Sequence, residues 1–354
     1  MSAVVVFGGH GTFGRLVATS LVQRGLKVVI AGRDLGRAQA FAQSLDPPQI
    51  AQEADVRDFR SCLAAVRGQA VAVSCAGPFG SLGPALLDAC LEARCPYADI
   101  TDDRAYAALV RRRDEAFRER GLTAVYGCSS LPGLSGALGL LALEGASFVP
   151  ERARVTLMIG NANPKGLAAI RSFVPVLGRP IAAPQGTLRG FRDREVVPLP
   201  RPFGPRSVYN FESPEYDLFP ALFGVRSVVV KVGFELRLAT SALATLAAIG
   251  SRYPPSIARP LEWLSRPFRS LGCSGGAVMT ELFGADGSSR SAAISTPHDG
   301  QRMAALPCAL VAHELTTGLN PGSRCGALTA YEYLGAQAMI MHMERAGFAL
   351  EPRL

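Results

Sequence analysis

Val4-Val5-Val6-Phe7-Gly8-Gly9-His10-Gly11-Thr12-Phe13-Gly14 is the stretch on which the fold turns. Four apolar residues predict a short buried strand. The glycines behind them satisfy two spacings at once, GxGxxG through Gly9, Gly11 and Gly14, and GxxGxxG through Gly8, Gly11 and Gly14. From Thr12 the pattern turns helical, so the glycines occupy a strand-to-helix turn. One glycine permits the tight reversal, another lets the backbone approach a pyrophosphate, and the last lets helix pack close on strand. The helix N-terminus then offers N–H groups and partial positive charge to phosphates. Gly8, Gly9, Gly11, Thr12, Phe13 and Gly14 are therefore candidate cofactor-binding residues; the bland alternative is a glycine-rich turn with no ligand.

The surroundings favour the first reading. Strands are expected at 3–7, 27–31, 50–54, 70–74, 97–100 and 123–126, with helices at 12–24, 35–45, 58–67, 83–94 and 103–120. Six strands separated by single helices predict a doubly wound parallel sheet with ligands at the carboxyl ends of its strands. After Pro150 this alternation stops. Strand-like runs at 154–159 and 227–232 stand among Pro- and Gly-rich turns, a helical pattern covers 236–250, and a hairpin is expected about Asp286-Gly287, between 278–283 and 290–295. Helices near 301–318 and 329–346 follow. The expected domains are 1–145, binding the nucleotide; 151–330, an α+β substrate and dimerisation domain; and 331–354, a C-terminal helix packing back on the first.

Composition narrows the function. The chain has 354 residues, 48% hydrophobic and 19% charged, enough for two full cores and too apolar for a disordered chain. Its formal net charge is +8, carried by 34 arginines and three lysines, but these are scattered rather than gathered with aromatics, so no nucleic-acid surface is expected. The eight cysteines form no CxxC pair and no histidine stands at zinc-ligand spacing, so no metal is expected. Reduced thiols and a first segment that runs straight into a strand imply a cytoplasmic protein. The longest apolar stretch, 238–250, is too short to span a membrane. It reads as a core helix, the alternatives being a membrane-surface helix or the lining of an apolar pocket.

Around the turn, Ala31-Gly32-Arg33-Asp34 closes the second strand. An NAD-selecting site places a carboxylate there for the ribose 2′-hydroxyl; here Arg33 comes first, with Arg37 one helical turn on. A guanidinium pairs bidentately with a 2′-phosphate, which favours NADP(H), while an inward-turned Asp34 would serve NAD(H). Asp55, after the third strand, is placed to meet the adenine edge or to cap a helix in competition with Asp58. Cys75-Ala76-Gly77-Pro78-Phe79 ends the fourth strand. Ala76, Gly77 and Pro78 suit a loop beneath the nicotinamide ribose, and Cys75 reads as a small buried residue rather than a nucleophile.

These residues together resemble the saccharopine dehydrogenase-like (saccharopine reductase-type) oxidoreductases. The matching features are Val4 to Gly14, Ala31-Gly32-Arg33, Cys75 to Phe79, Tyr97-Ala98-Asp99-Ile100-Thr101-Asp102 and Gly127 to Gly133, with fainter likeness at Lys231 to Phe234 and Gly326 to Glu332. The resemblance covers about 1–140 well. It implies an α/β architecture, a Rossmann domain with a second α+β substrate domain, and hydride transfer from NAD(P)H in the cleft between them. Family members include imine reductases and, in other branches, reductases of carbon–carbon double bonds.

The chemistry needs a proton donor near the accepting bond. The Tyr–Lys pair of short-chain dehydrogenases is absent, since Gln23, Asn161 and Ser227 stand four residues before the three lysines. Asp102, past the fifth strand, and His298, in a Pro–Gly turn of the second domain, are the candidate catalytic residues. The bland readings are an N-cap for Asp102 and a solvated loop residue for His298. Asp99 reads as structural. His313-Glu314 lacks a second histidine four residues on, and no Gly-x-Ser-x-Gly elbow occurs, which argues against a zinc protease and a hydrolase. Arg171, Lys165, Arg189, Arg192, Arg206 and Arg237 are candidate contacts for an acidic substrate. Phe173, Phe203, Phe211, Phe219, Phe223 and Phe234 would line a pocket for an apolar one, or form a core. The expectation is an NADPH-dependent reductase of a C=N or activated C=C bond in a small, rather apolar metabolite, as a homodimer if it self-associates. The competing class is a non-catalytic NADP(H)-binding sensor.

Overall fold

The computed structural model describes residues 3–163, 174–250, 253–257, 259, 260, 263, 271–318 and 324–353. Lys165, Arg171 and Phe173 lie outside the described residues. Two compact units form, Met1–Ser129 with Ala304–Gly335, and Ser130–Met303 with Ala336–Leu354.

The first unit alternates strand and helix: β1 (Val4–Phe7), α1 (Thr12–Gln23), β2 (Val28–Gly32), α2 (Leu35–Gln43), β3 (Ile50–Glu53), α3 (Phe59–Val66), β4 (Val71–Ser74), α4 (Ala85–Ala93), β5 (Tyr97–Asp99), α5 (Arg104–Arg111), α6 (Asp114–Glu119) and β6 (Thr123–Tyr126). Every residue of β1 and β4 is buried. That is why these strands read as continuous apolar runs: a parallel sheet is covered on both faces. α1 covers it with Val17, Ala18, Leu21 and Val22. The single helix expected over 103–120 is two, parted at Arg112 and Arg113, where the Arg113 guanidinium turns to Asp88 of α4 (Nε–Oδ1 2.8 Å).

The strand order is β3-β2-β1-β4-β5-β6, all parallel, and it reverses between β1 and β4, the switch point where such sheets bind ligands. A seventh strand, Gly326–Thr329, pairs in parallel with the outer edge of β6. It arrives after the helix Gly300–Thr317 and is pinned by Asp114, whose Oδ1 accepts from the Ala327 N–H at 2.8 Å. It covers a sheet edge that would otherwise present unpaired backbone groups.

The second unit is built on a seven-stranded mixed sheet in the order Glu195–Leu199, Gly204–Asn210, Ser227–Phe234, Pro150–Ile159, Gly276–Gly284, Ser289–Thr296 and Ala349–Arg353. Only Pro150–Ile159 and Ser227–Phe234 run parallel to each other. Met158, Val197, Leu199, Phe203, Val208, Ala277, Met279 and Ala293 form one buried cluster on it. Arg154 crosses to Glu281 bidentately (2.6 and 2.9 Å). Buried Glu215, on the helix Glu215–Phe223, accepts from Ser135 (2.6 Å) and from Ser213, tying that helix to the helix Ser135–Leu143.

The stretch expected as one helix over 329–346 breaks at Gly335 (φ +79°). Ala330–Leu334 belongs to the first unit. Ala336–Arg345 and the strand Ala349–Arg353 belong to the second, where that strand pairs with Ser289–Thr296. The contacts thus part the chain differently from the boundaries drawn at 145, 151 and 331, because 304–335 returns to the first sheet.

Candidate nucleotide and catalytic site

The glycine turn is held by its own backbone. Gly8 (φ +69°) donates to the Ala31 carbonyl at 2.8 Å, Gly11 donates to the Gly8 carbonyl at 2.9 Å, and the Arg15 N–H closes the first helical turn on Gly11 at 2.9 Å. A Cβ at Gly8 would sit 2.9 Å from Ala76 Cα. One at Gly14 would run into the Gly8 carbonyl oxygen and lie 2.7 Å from Gly9 Cα. Both glycines are therefore demanded by the protein's own packing. Gly11 is different: a Cβ there meets only the Gly8 carbonyl oxygen, at 3.1 Å. No side chain caps α1 at Gly11, so its first N–H groups face an open cradle. That cradle fits a pyrophosphate.

At the end of β2, Arg33 and Arg37 are exposed. Asp34 is engaged as the N-cap of α2, its Oδ1 accepting from the Arg37 N–H at 3.0 Å. Asp58 takes the cap of α3, so Asp55 does not. Asp55 instead binds the Arg57 guanidinium through both oxygens (2.7 and 3.0 Å). Those hydrogen bonds, with Arg33 adding its charge, hold the Asp55 carboxyl down at about 2. Arg57 joins Arg33 and Arg37 at this rim, and the sequence reading passed over it. It passed over His10 too. The imidazole lies directly over Gly32, where a Cβ would fall 2.5 Å from Cε1, and burial followed by the Arg37 charge pushes its pKa below the ordinary value. Arg57 stands two residues from a noted aspartate, and His10 inside the motif itself, so position in the sequence was the available signal.

At the end of β4, Ala76 carries the close approach to Gly8, Gly77 is exposed, and the Gly77–Pro78 bond is cis. The Cys75 thiol is pushed well up, by hydrogen bonding with Cys308 and then by burial, which suits a packed thiol and not a nucleophile. Asp99 is fully buried. Its Oδ1 accepts the N–H groups of Thr101 and Gly127, each at 2.9 Å, joining β5 to the loop after β6. Burial raises its pKa to about 6 against the pull of those donors. Asp103 caps α5, accepting from Tyr106 N–H at 2.9 Å, which relieves Asp102 of that task. Asp102 reaches solvent, yet the protein packed around it and the neighbouring Asp103 push its carboxyl up to about 6.

Gly8 to Gly14, Arg33, Arg37, Asp55, Ala76 to Pro78 and Asp102 all belong to the first unit, at or beyond the carboxyl ends of its strands; His298 belongs to the second. His298 is exposed in the turn between Ser289–Thr296 and Gly300–Thr317. Its carbonyl accepts from the Thr296 hydroxyl, and Gly300 N–H donates to the Ser274 carbonyl at 2.7 Å. Behind this turn Glu235 accepts from the Asn161 and Cys273 N–H groups (2.9 and 2.8 Å), and Asn163 donates to the Gly160 and Gly275 carbonyls (3.1 and 2.7 Å). No pattern in the sequence marked this cluster. Phe203, Phe211, Phe219 and Phe223 are core residues of the second unit, so they do not speak for an apolar substrate. Among the described residues no group of three or more His, Cys, Asp or Glu is placed to hold a metal.

Two outcomes follow from the glycines and from Asp99. Gly11→Ala should fold with stability close to the parent, yet bind NADPH at least about tenfold more weakly, the size of one well-made phosphate contact. Gly14→Ala should lose about 2 kcal/mol or more through overpacking; thermal melts and calorimetric titration separate the two. For Asp99, a folded pKa raised from 3.8 to about 6 means that this group's stabilisation is complete below the unfolded value and is lost as pH rises through 6. Urea unfolding of Asp99→Asn should therefore gain about 2–3 kcal/mol on the parent between pH 4 and pH 7. A flat difference would show that the buried carboxyl carries no such cost.

The saccharopine dehydrogenase NADP binding domain family matches residues 4–125. No protein of curated function matches the chain in sequence. Among solved structures, apo saccharopine dehydrogenase (L-Glu forming) from Saccharomyces cerevisiae is 11% identical, with a TM-score of 0.66 and full coverage of both chains. A short-chain type dehydrogenase/reductase from Mycobacterium ulcerans is 16% identical with a TM-score of 0.31, over 35% of this chain and 66% of that one. A hydroxysteroid dehydrogenase from Escherichia coli is 14% identical with a TM-score of 0.31, over 35% and 73%. With the strand, glycine turn and helix of 4–23 in place, residues 4–125 form a domain of the saccharopine dehydrogenase NADP binding type, and the chain as a whole has the fold of saccharopine dehydrogenase.

Proposed function

We propose that the protein is an NADPH-dependent reductase of a C=N (imine) or activated C=C bond in a small metabolite. The observation that carries this reading is the open cradle at Gly11 beside a rim of Arg33, Arg37 and Arg57, with Asp34 committed to capping α2. When bound, the reduced nicotinamide supplies the hydride. Gly8 to Gly14 receive the pyrophosphate on the backbone N–H groups at the start of α1. Arg33 and Arg37 hold the 2′-phosphate, the charge that distinguishes NADPH from NADH. Ala76, Gly77 and Pro78 leave room for the nicotinamide ribose. Asp102 gives the proton to the substrate, since a carboxyl raised to about 6 still carries a transferable proton near neutral pH. His298 is the second candidate for that role. The eight cysteines are all free thiols, which supports a reducing, cytoplasmic setting.

Calorimetric titration with NADPH and separately with NADH tests the cofactor half of the proposal. The parent should bind NADPH at least about tenfold more tightly, and Arg33→Ala should lose about 1.5–3 kcal/mol toward NADPH while NADH is nearly unchanged, the scale of a charged hydrogen bond. Equal losses for both would remove Arg33 as the selector, and stoichiometric binding with no turnover on imine and enoyl panels would make the protein a nucleotide sensor. On an acceptor that is turned over, Asp102→Asn should lower kcat by about 10²–10⁴-fold with NADPH affinity kept. The parent's rate should fall as pH rises through about 6, because the acid must be protonated, and the variant should lack that limb.

A further inference from the structure

His10 stands inside the glycine turn yet caps nothing, since α1 starts without a side-chain cap. Its half-buried imidazole lies with one edge against the end of β2. A Cβ at Gly32 would fall 2.5 Å from Cε1 and 2.7 Å from Nδ1, but 3.8 Å from Nε2. Gly32 is thus the seat of the ring, and Nε2 is the ring nitrogen farther from it. Nδ1 is buried there without a hydrogen-bond partner. Among the described residues nothing accepts from Nε2 either.

These contacts decide where the ring proton sits. A neutral imidazole has one N–H and one lone pair. On Nδ1 the N–H would be buried without an acceptor, a rarer defect in proteins than an unpaired acceptor. On Nε2 it leaves only a lone pair against Gly32. A charged ring would carry both N–H groups and set a cation near Arg37 and Arg15. Burial first, then the Arg37 charge, hold the pKa below the ordinary value, with Asp34 pulling the other way and Arg15 adding to the depression. His10 is therefore neutral at neutral pH, with its donor on Nε2. The side chains about it are mostly cationic. Arg15 of α1 donates from Nε to the His10 carbonyl at 2.9 Å, Arg37 faces it from α2, and Arg33 follows Gly32 in the chain. Asp34, the acid of the group, accepts from the Arg37 N–H as the cap of α2. A free N–H among arginines is a donor set for an anion.

We propose that His10 is a specificity-determining residue for the dinucleotide, donating from Nε2 to the 2′-phosphate held by Arg33 and Arg37, so that the glycine turn as well as the end of β2 tells NADPH from NADH. The inference rests on the NADPH reading of the cradle and can fail without it. Adenosine 2′,5′-bisphosphate and 5′-AMP separate the 2′-phosphate from the nicotinamide, and calorimetric titration of the full-length protein with each reads the contact. His10→Phe keeps a flat ring over Gly32 and loses the donor. It should bind the bisphosphate at least about tenfold more weakly, with 5′-AMP affinity and Tm held. His10→Gln returns an amide N–H near the place of Nε2 and should recover most of that loss. Gly32→Ala keeps the imidazole but drives it from its seat, and should show the loss of the Phe variant. The ratio between parent and His10→Phe should stay level from about pH 7 to about pH 8.5, because a neutral donor does not titrate there. A ratio that closes as pH rises would give the contact to the imidazolium and overturn the assignment. Unchanged bisphosphate binding by His10→Phe would overturn it too, while a parent that still prefers the bisphosphate to 5′-AMP would leave the NADPH reading standing. Equal losses toward both nucleotides would place the contact on the ribose or the 5′-phosphate and also overturn it. A parent with no preference for the bisphosphate would remove the NADPH reading and this inference together.

Discussion

Everything in the first unit depends on how closely three pieces of backbone can approach at the end of β1. Gly8 comes against Ala76 from the loop after β4, and Gly14 brings α1 down onto the Gly8 carbonyl. Neither contact leaves room for a methyl group. The result is a helix whose N-terminus stands directly over the switch point of the sheet, its N–H groups aimed where strand order reverses. Were α1 lifted by the width of one methyl group, those groups would fall short of a phosphate seated on the strand ends. The protein thus enforces the cradle by packing, and it leaves Gly11, whose Cβ would meet little of the protein, at the open side of that cradle.

A second constraint organises the acids around that cradle. Three helices of the unit start on an aspartate, Asp34 for α2, Asp58 for α3 and Asp103 for α5, each accepting from the backbone N–H three residues on. Capping assigns these carboxylates to structure and settles, by elimination, what their neighbours are released to do. With Asp58 on α3, Asp55 fixes Arg57 beside Arg33. With Asp103 on α5, Asp102 is left at the strand end without a capping duty. With Asp34 on α2, the end of β2 presents guanidinium groups outward. One inexpensive local interaction, repeated, gives the rim of the cradle its charge.

Much of this was legible from the residues. β1 to β6 lie within a residue or two of their expected places; β1, β2, β4 and β6 did so because a strand buried on both faces is a continuous apolar run, while the edge strand β3, Ile-Ala-Gln-Glu with no buried residue, was placed by the βα alternation around it. What could not be read depended on distant partners. Gly326–Thr329 is four residues with no β-branched run, and it becomes a strand only because β6 offers an edge some two hundred residues earlier in the chain. The strands Glu195–Leu199 and Gly204–Asn210 contain prolines that sequence reasoning takes for turns. Arg57 and His10 matter through neighbours on the adjacent strand end. The stretch 238–250 is helical as expected but is not a core helix: Thr240 and Ala247 are buried, Leu243 and Leu246 half-buried, and Leu238 and Ile249 exposed at its two ends.

Asp99 and Asp102 bring the physical argument to its sharpest point. Burial raises both carboxyls to about 6, so the size of the shift does not tell them apart. Their surroundings do. Asp99 is fully buried, and its Oδ1 is saturated by two backbone N–H groups that hold β5 to the loop beyond β6. A proton on it has no route to a substrate, and the raised pKa there is a cost of joining two strand ends. Asp102 reaches solvent beyond the same strand. The same shift there leaves a proton that is both held near neutral pH and accessible to a reacting atom. A perturbed pKa marks a candidate functional group only where the proton can leave, and between these two neighbours accessibility, not magnitude, separates the clamp from the proposed acid.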